Sequence, residues 1–205
     1  MIGAGGARRR RLAQRLPDAK VMSPGGHLVT TVAACAATAY ATGSLPLTAA
    51  VAAGSFFIDL DHVFDYIVID KQRDLRPSAF LRYYVGGHIR RAVLPLHSYE
   101  LFAALIAIAW WTDDALVAGY LVGALLHLAL DIVFNGQVTP YSIAAFYSFG
   151  YRLYHRFDAA KMLGLAERPV GGGFWAMFFA SPEAVRPLPG LAPRRVASRI
   201  PDSLA

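Results

Sequence analysis

The chain has 205 residues, 56% of them apolar and 17% charged, with a mean hydropathy of +0.39. That is too apolar and too poor in charge for an ordinary soluble domain, and the length suits one domain with basic tails. The formal charge of +6 accompanies long apolar runs, so it points to anionic lipid headgroups before nucleic acid, and no specific nucleic-acid partner is expected.

Residues 1–22 are rich in Gly and Arg, with Arg8, Arg9, Arg10 and Arg11 consecutive. They read as a basic flexible arm, and as an uncleaved anchor rather than a signal peptide. Ser23-Pro24-Gly25-Gly26 breaks the chain, and Ser23 or Gly26 can cap the helix that follows. Leu28 to Thr42 is uncharged and holds the single cysteine, Cys35, which excludes an intrachain disulfide and reads as packing. Gly43-Ser44-Leu45-Pro46 predicts a tight turn into a second apolar helix, Leu47 to Ile58.

Residues 63–91 change character, with Asp, Lys and Arg set among Phe and Tyr, a mixture suited to the headgroup region. A third apolar helix is expected from about Val93 to Trp111, with His97 and Glu100 in its first half. After the turn Thr112-Asp113-Asp114, a fourth runs from Ala115 to about Phe134. Gly119 and Gly123, four apart, would let another helix approach closely. Tyr141 to Phe157 reads as an interfacial helix, Phe174 to Phe179 as an interfacial patch, and 181–205 as a Pro/Arg-rich flexible tail. The expected organisation is an arm (1–22), a membrane-embedded helical domain (23–158) and a patch with tail (159–205), without internal repeats.

The expected fold class is all-α: an integral membrane bundle of about four transmembrane helices plus interfacial helices. Each run is at the short end for a hydrocarbon core of about 30 Å, so a bundle that only dips into the bilayer is the alternative. If all four cross, Lys and Arg gather in the arm, the 63–91 loop and the segment after Asn135. The opposite turns carry no charge or only Asp113 and Asp114. The positive-inside rule then puts both termini in the cytoplasm, in a multi-pass protein of the inner membrane.

On that map the ionisable groups fall at one level. His27 opens the first helix, Asp59, Asp61 and His62 close the second, His97 and Glu100 open the third, and His127 and Asp131 lie near the end of the fourth. Charged groups beside apolar helices are expensive and usually functional. Spacings of three (Asp59/His62, His97/Glu100) and four (His127/Asp131) bring side chains together on a helix. Each group alone has an ordinary reading, as a cap, an interface histidine or a hydrogen-bonded pair. Four helices placing them at one depth favour a shared metal site. Imidazole with carboxylate suits Zn, Mn or Fe, and the eight groups would serve one or two ions. His88 and His155 read as surface residues.

Asp59-Leu60-Asp61-His62, Arg91 with His97-Ser98, His127-Leu128-Ala129-Leu130-Asp131, Gly136 and Thr139-Pro140 resemble the YdjM-like family of inner-membrane metal-dependent hydrolases. The resemblance covers about residues 25–142, with Ile58 where the family usually has Pro and Leu96 where it usually has Thr. It implies hydrolysis on a bound divalent ion, Zn or Mn. His27, Asp59, His62, His97, His127 and Asp131 are the candidate ligands, and Asp61 or Glu100 the candidate general base. Arg82, Arg90 and Arg91 could hold an anionic group, since guanidinium matches phosphate. A site at headgroup level beside a basic loop points to an ester or phosphoester of a membrane lipid or lipid-linked substrate. A non-catalytic metal-binding or adaptor protein, or a metal or proton transporter, is the alternative; a transporter would need polar groups in the outer halves of the helices, which offer only Thr, Ser and Gly.

Overall fold

The computed structural model describes residues 22–135, 142–163 and 170–179. The basic arm, the C-terminal tail and the motif positions Gly136, Thr139 and Pro140 lie outside them. Among the described residues the fold is helical throughout, without a strand; Arg91 and Asp158 form an isolated bridge.

Helix α1 spans Pro24–Thr42. The Ser23 hydroxyl accepts from the Gly26 amide, Pro24 opens the first turn, and Gly43 closes the helix at φ 63°, where a side chain would be strained. His27 therefore sits inside the first turn. Helix α2 spans Leu45–Ser55, capped by Ser44, and bends by 47° into the segment Phe57–Ile69. That segment is a 3₁₀ turn (Phe57–Asp59), helix α3 (Leu60–Phe64) and a π turn (Asp65–Ile69).

Residues 70–98 form a strap that carries helix α4, Pro77–Val85. Two carboxylates pin it. Asp65 accepts the Val93 and Leu94 amides at 2.6 and 3.2 Å. Asp70 accepts the Tyr83 hydroxyl at 2.5 Å and the Arg90 amide at 3.1 Å. Burial, with Asp70 beside it, pushes the Tyr83 hydroxyl well above its ordinary pKa, so it stays a donor.

Helix α5 spans Tyr99–Thr112, not 93–111. Ser98 is its N-cap, accepting from the Leu101 amide, and Pro95 leaves the preceding residues without a helical start. Helix α6 spans Ala115–Phe134, capped by Asp114. Among the described residues, by length and composition, α6 alone could cross a membrane, and the bent pair Leu45–Ser55 with Phe57–Ile69 would make a second span; α5 is apolar but has 14 residues.

The segment read as an interfacial helix is instead two short helices, α7 (Ile143–Phe146) and α8 (Phe149–Tyr154), with Tyr147 and Arg152 buried. Their caps, Ser142 and Ser148, break the run. Helix α9 (Ala159–Met162) and helix α10 (Phe174–Phe179) follow, and α10 packs on α4 and the start of α1.

The closest helix pair is α2 with α6. A Cβ at Gly54 would run into the Tyr120 carbonyl, and one at Gly123 into that of Val51. The backbones touch there because neither helix has a side chain in the way. The buried core lies at one end of the bundle: Ile58, Phe102, Ala124 and Leu128 meet Ala92 and Leu94 of the strap and Phe146, Tyr147 and Met162. The opposite end and flanks expose large apolar side chains, among them Tyr40 at 95% and Trp110 and Trp111 at 90% each.

Candidate metal centre

His27, His97, His127, Asp61 and Asp131 are all buried in this core, an environment that charged or half-protonated groups occupy only with partners. Their partners are one another. His127 approaches the Ser55 carbonyl with Nδ1 at 2.9 Å, so Nδ1 carries the proton and Nε2 presents its lone pair to the cluster. His97 is held the same way by a carboxylate: Nδ1 lies 2.9 Å from Asp61 Oδ2 and 3.1 Å from Oδ1. Asp61 also accepts the Leu96 and His97 amides at 3.0 and 3.2 Å, so its position is fixed.

The two Nε2 atoms then turn to one oxygen. Asp59 Oδ1 is 3.4 Å from His127 Nε2 and 3.5 Å from His97 Nε2. Those separations are too long for good hydrogen bonds. They match the edge of a tetrahedron, about 3.4 Å, drawn around an ion with ligand bonds of about 2.1 Å. Asp131 extends the cluster: Oδ2 is 3.5 Å from His127 Nε2 and 3.9 Å from His97 Nε2, while Oδ1 takes His27 Nε2 at 3.1 Å. The His27 and His127 rings stack at 3.9 Å. His62 Nε2 stands 3.7 Å from Asp59 Oδ1.

Three overlapping triads result: His27, His127 and Asp131; Asp59, His97 and His127; Asp61, His62 and His97. Each brings its ligand atoms within 4.8 Å of one another. Three imidazole nitrogens, His27 Nδ1, His62 Nδ1 and His97 Nε2, are buried with no hydrogen-bond partner among the described residues. Orphaned buried nitrogens are costly, and a cation is one way to satisfy those that face the cluster. The donor set and its spacing fit a divalent ion.

Supports around the cluster keep it in place. Tyr147 donates to Asp131 Oδ2 at 3.0 Å and Asn135 to Oδ1 at 2.8 Å. Burial, then the neighbouring Asp131 charge, pushes the Tyr147 hydroxyl far above its ordinary pKa, so it remains protonated. Arg152, 0% exposed, reaches under the strap: its guanidinium donates to the carbonyls of His97 (2.9 Å), Phe146 (2.8 Å) and Leu94 (2.9 Å). It also lies over the Phe146 ring at 5.6 Å. Arg152, Tyr147 and Asn135 are absent from the sequence-derived site; the one available signal was a cation inside an aromatic run.

Not every expected residue joins the cluster. Glu100 is exposed and turned away, with its carboxylate accepting the Ser148 hydroxyl at 2.8 Å and the Phe149 and Gly150 amides at 2.8 and 3.0 Å. It caps α8 and is not placed as a general base. The reason is the start of α5: with Ser98 as cap, His97 precedes the helix, and the spacing of three no longer implies a shared face. Asp61 is in the cluster, but its oxygens are engaged by His97 and two amides, so it orients rather than abstracts. Arg82, Arg90 and Arg91 have exposed side chains, and the strap uses the backbone of Arg90 and Arg91. His155 packs against Tyr151 and Tyr154, and His88 near Tyr83.

No family model, curated protein or solved structure matches the chain.

Proposed function

We propose that the protein is a membrane-bound, metal-dependent hydrolase acting on an ester or phosphoester of a lipid or lipid-linked substrate. The observation that carries this reading is the pair His97 and His127. Each has Nδ1 fixed by a protein acceptor, and each directs Nε2 to within 3.5 Å of the same Asp59 oxygen. Carboxylate- or carbonyl-held imidazoles facing a shared acid are the arrangement in which a metal ligand is oriented and its tautomer set. A divalent ion, Zn or Mn, held there would supply Lewis acidity and an acidified water.

The chain's own groups divide the remaining work. Asp59, His97, His127 and Asp131 hold charge at the centre, and His27 supports Asp131. Asp61 and the Ser55 carbonyl keep the two imidazoles aimed. His62, a candidate ligand in the sequence, has a side chain 28% exposed, and in this reading it moves a proton at the reacting oxygen. The resemblance to YdjM-like inner-membrane hydrolases supports the same chemistry. The exposed apolar flanks of α1, α5 and α6 and the one-sided Lys/Arg distribution support an inner-membrane location with the basic segments in the cytoplasm.

The test is metal analysis of purified wild type beside His127→Ala and Asp59→Asn, with hydrolysis of a chromogenic phosphodiester and of phospholipid vesicles measured on the same samples. Stoichiometric Zn or Mn in wild type, lost with activity in both variants, is expected. Wild type free of metal, or variants that hydrolyse equally well, would sink the reading.

A further inference from the structure

This inference rests on the membrane and metal-site reading above and asks how a substrate reaches the centre. Depth comes first. At 1.5 Å per residue, His27 lies about 22 Å from the end of α1 and His127 about 18 Å from the start of α6. Helix α5, which begins just after His97, is about 21 Å long. All three measures run from the turns at 43–44 and 113–114, where Tyr40, Trp110 and Trp111 are almost fully exposed, as aromatic residues at a membrane boundary are. In a hydrocarbon slab of about 30 Å, the centre then sits about 10 Å inside the opposite boundary. It is beneath the headgroups, not level with them.

Accessibility comes second. His97 and His127 are each 1% exposed, His27 4% and Asp131 5%. Asp61 is 2% exposed. Only Asp59 and His62 of the cluster keep accessible surface, with side chains 34% and 28% exposed. Both belong to the segment after the bend. On that segment Phe57, Leu60, Phe64, Ile67 and Val68 are 40–56% exposed. Their spacing of three and four makes them one continuous apolar face. Ile58, Asp61, Asp65 and Tyr66 of the same segment are buried, so the face is the outer side of the element that brings Asp59 to the centre.

We propose that the centre is entered sideways from the bilayer across residues 57–68. Its ligand is a membrane lipid whose acyl chain lies along Phe57, Leu60 and Phe64 while its polar head turns inward to Asp59 and His62. A water-soluble ester would have to cross about 10 Å of hydrocarbon to reach the same atoms. A lipid already has its chain at that depth and needs only to draw its head inward, where Asp59 and His62 replace water around it.

The experiment uses the full chain in phosphatidylethanolamine/phosphatidylglycerol vesicles and a long-chain alkyl phosphate carrying a photoreactive diazirine on its chain. Crosslinks are expected to concentrate in residues 57–68 and to be competed by unlabelled dodecyl phosphate but not by inorganic phosphate. The double variant Phe57→Ala/Phe64→Ala should weaken the competable crosslink on the order of tenfold, since the van der Waals packing along which the acyl chain lies is lost. Crosslinks spread evenly over the exposed faces of α1, α5 and α6, with no competition, would mean boundary lipid only and would overturn the proposal. A spin label at Leu60→Cys in a Cys35→Ala background gives a second reading. Relaxation by oxygen well above that by a water-soluble nickel chelate is expected, and the reverse overturns lateral entry. Localised crosslinks without hydrolysis leave the entry route standing and remove the hydrolase reading. Hydrolysis of a soluble phosphodiester without localised crosslinks does the opposite.

Discussion

Asp61 and Glu100 carry the same functional group and were the two candidate general bases in the sequence, yet the structure gives them unrelated tasks. Asp61 holds His97 Nδ1 and two strap amides; Glu100 caps α8. Asp61→Asn keeps the volume and loses the charge that sets the His97 tautomer, so metal affinity should fall about 10–100-fold while the helical content stays constant. Competition with a chelator of known affinity measures it. Glu100→Gln should leave metal binding unchanged and lower stability by about 1 kcal/mol, the usual scale for a lost cap. Equal metal loss in both variants would contradict this division. Arg152→Met would leave three buried carbonyls without their donor, which predicts a loss of about 3 kcal/mol and weaker metal binding, with Arg152→Lys a poor rescue because an ammonium lacks the planar fork. The histidines and Asp59 were legible in the sequence because ionisable groups stand out against an apolar background. Glu100 and Arg152 were not, because their roles depend on where Ser98 and Ser148 start helices and on which carbonyls the strap leaves unpaired. Residue spacing carries neither fact.

At the scale of elements, the α2–α6 seam sets the distance between Asp59 and His127. The pair Gly119/Gly123 announced a close approach, but not its partner; Gly54 and the Ser55 carbonyl became visible only in three dimensions. Gly123→Ala sets two effects against each other. Helix propensity favours Ala by about 1 kcal/mol. The new Cβ, however, would meet the Val51 carbonyl and lie 2.7 Å from the Ser55 amide, backbone that cannot swing aside. Overpacking of this kind costs about 1–3 kcal/mol, so the clash should win. Because His127 hooks the Ser55 carbonyl across the same seam, metal content should fall with thermal stability, and a Gly123→Ala protein with unchanged melting and metal would refute the coupling. The bend after Ser55 left no trace in the sequence, since the apolar run continues through it. The strap's latches were also hidden: Asp65 and Asp70 look like surface charges until their backbone partners are known.

For the whole molecule, the sequence led to the expectation that the ionisable groups meet, and the structure brings most of them into contact. What it could not show was how many helices cross. α5 is 14 residues long and α2 bends after 11, so among the described residues only α6, and the bent pair as a second, are long and apolar enough to cross. If the bundle sits in the membrane as proposed, Ser44→Cys and Arg90→Cys in a Cys35→Ala background should react with an impermeant maleimide from opposite sides of the inner membrane. Labelling of both from one side would reject that topology.

The cluster's membership also has a consequence for biogenesis. His27 belongs to the first described helix and its carboxylate partner, Asp131, to the last turn of α6. If the bundle enters a membrane as proposed, a ribosome-bound chain that has inserted α1, α2 and the strap still lacks His127 and Asp131. In such an intermediate Asp61 can already hold His97, but His27 lacks its carboxylate and Asp59 lacks one of its two imidazoles. Completion of α6 closes that hazard in a single late step, and chains halted before it are the ones a membrane quality-control protease should recognise.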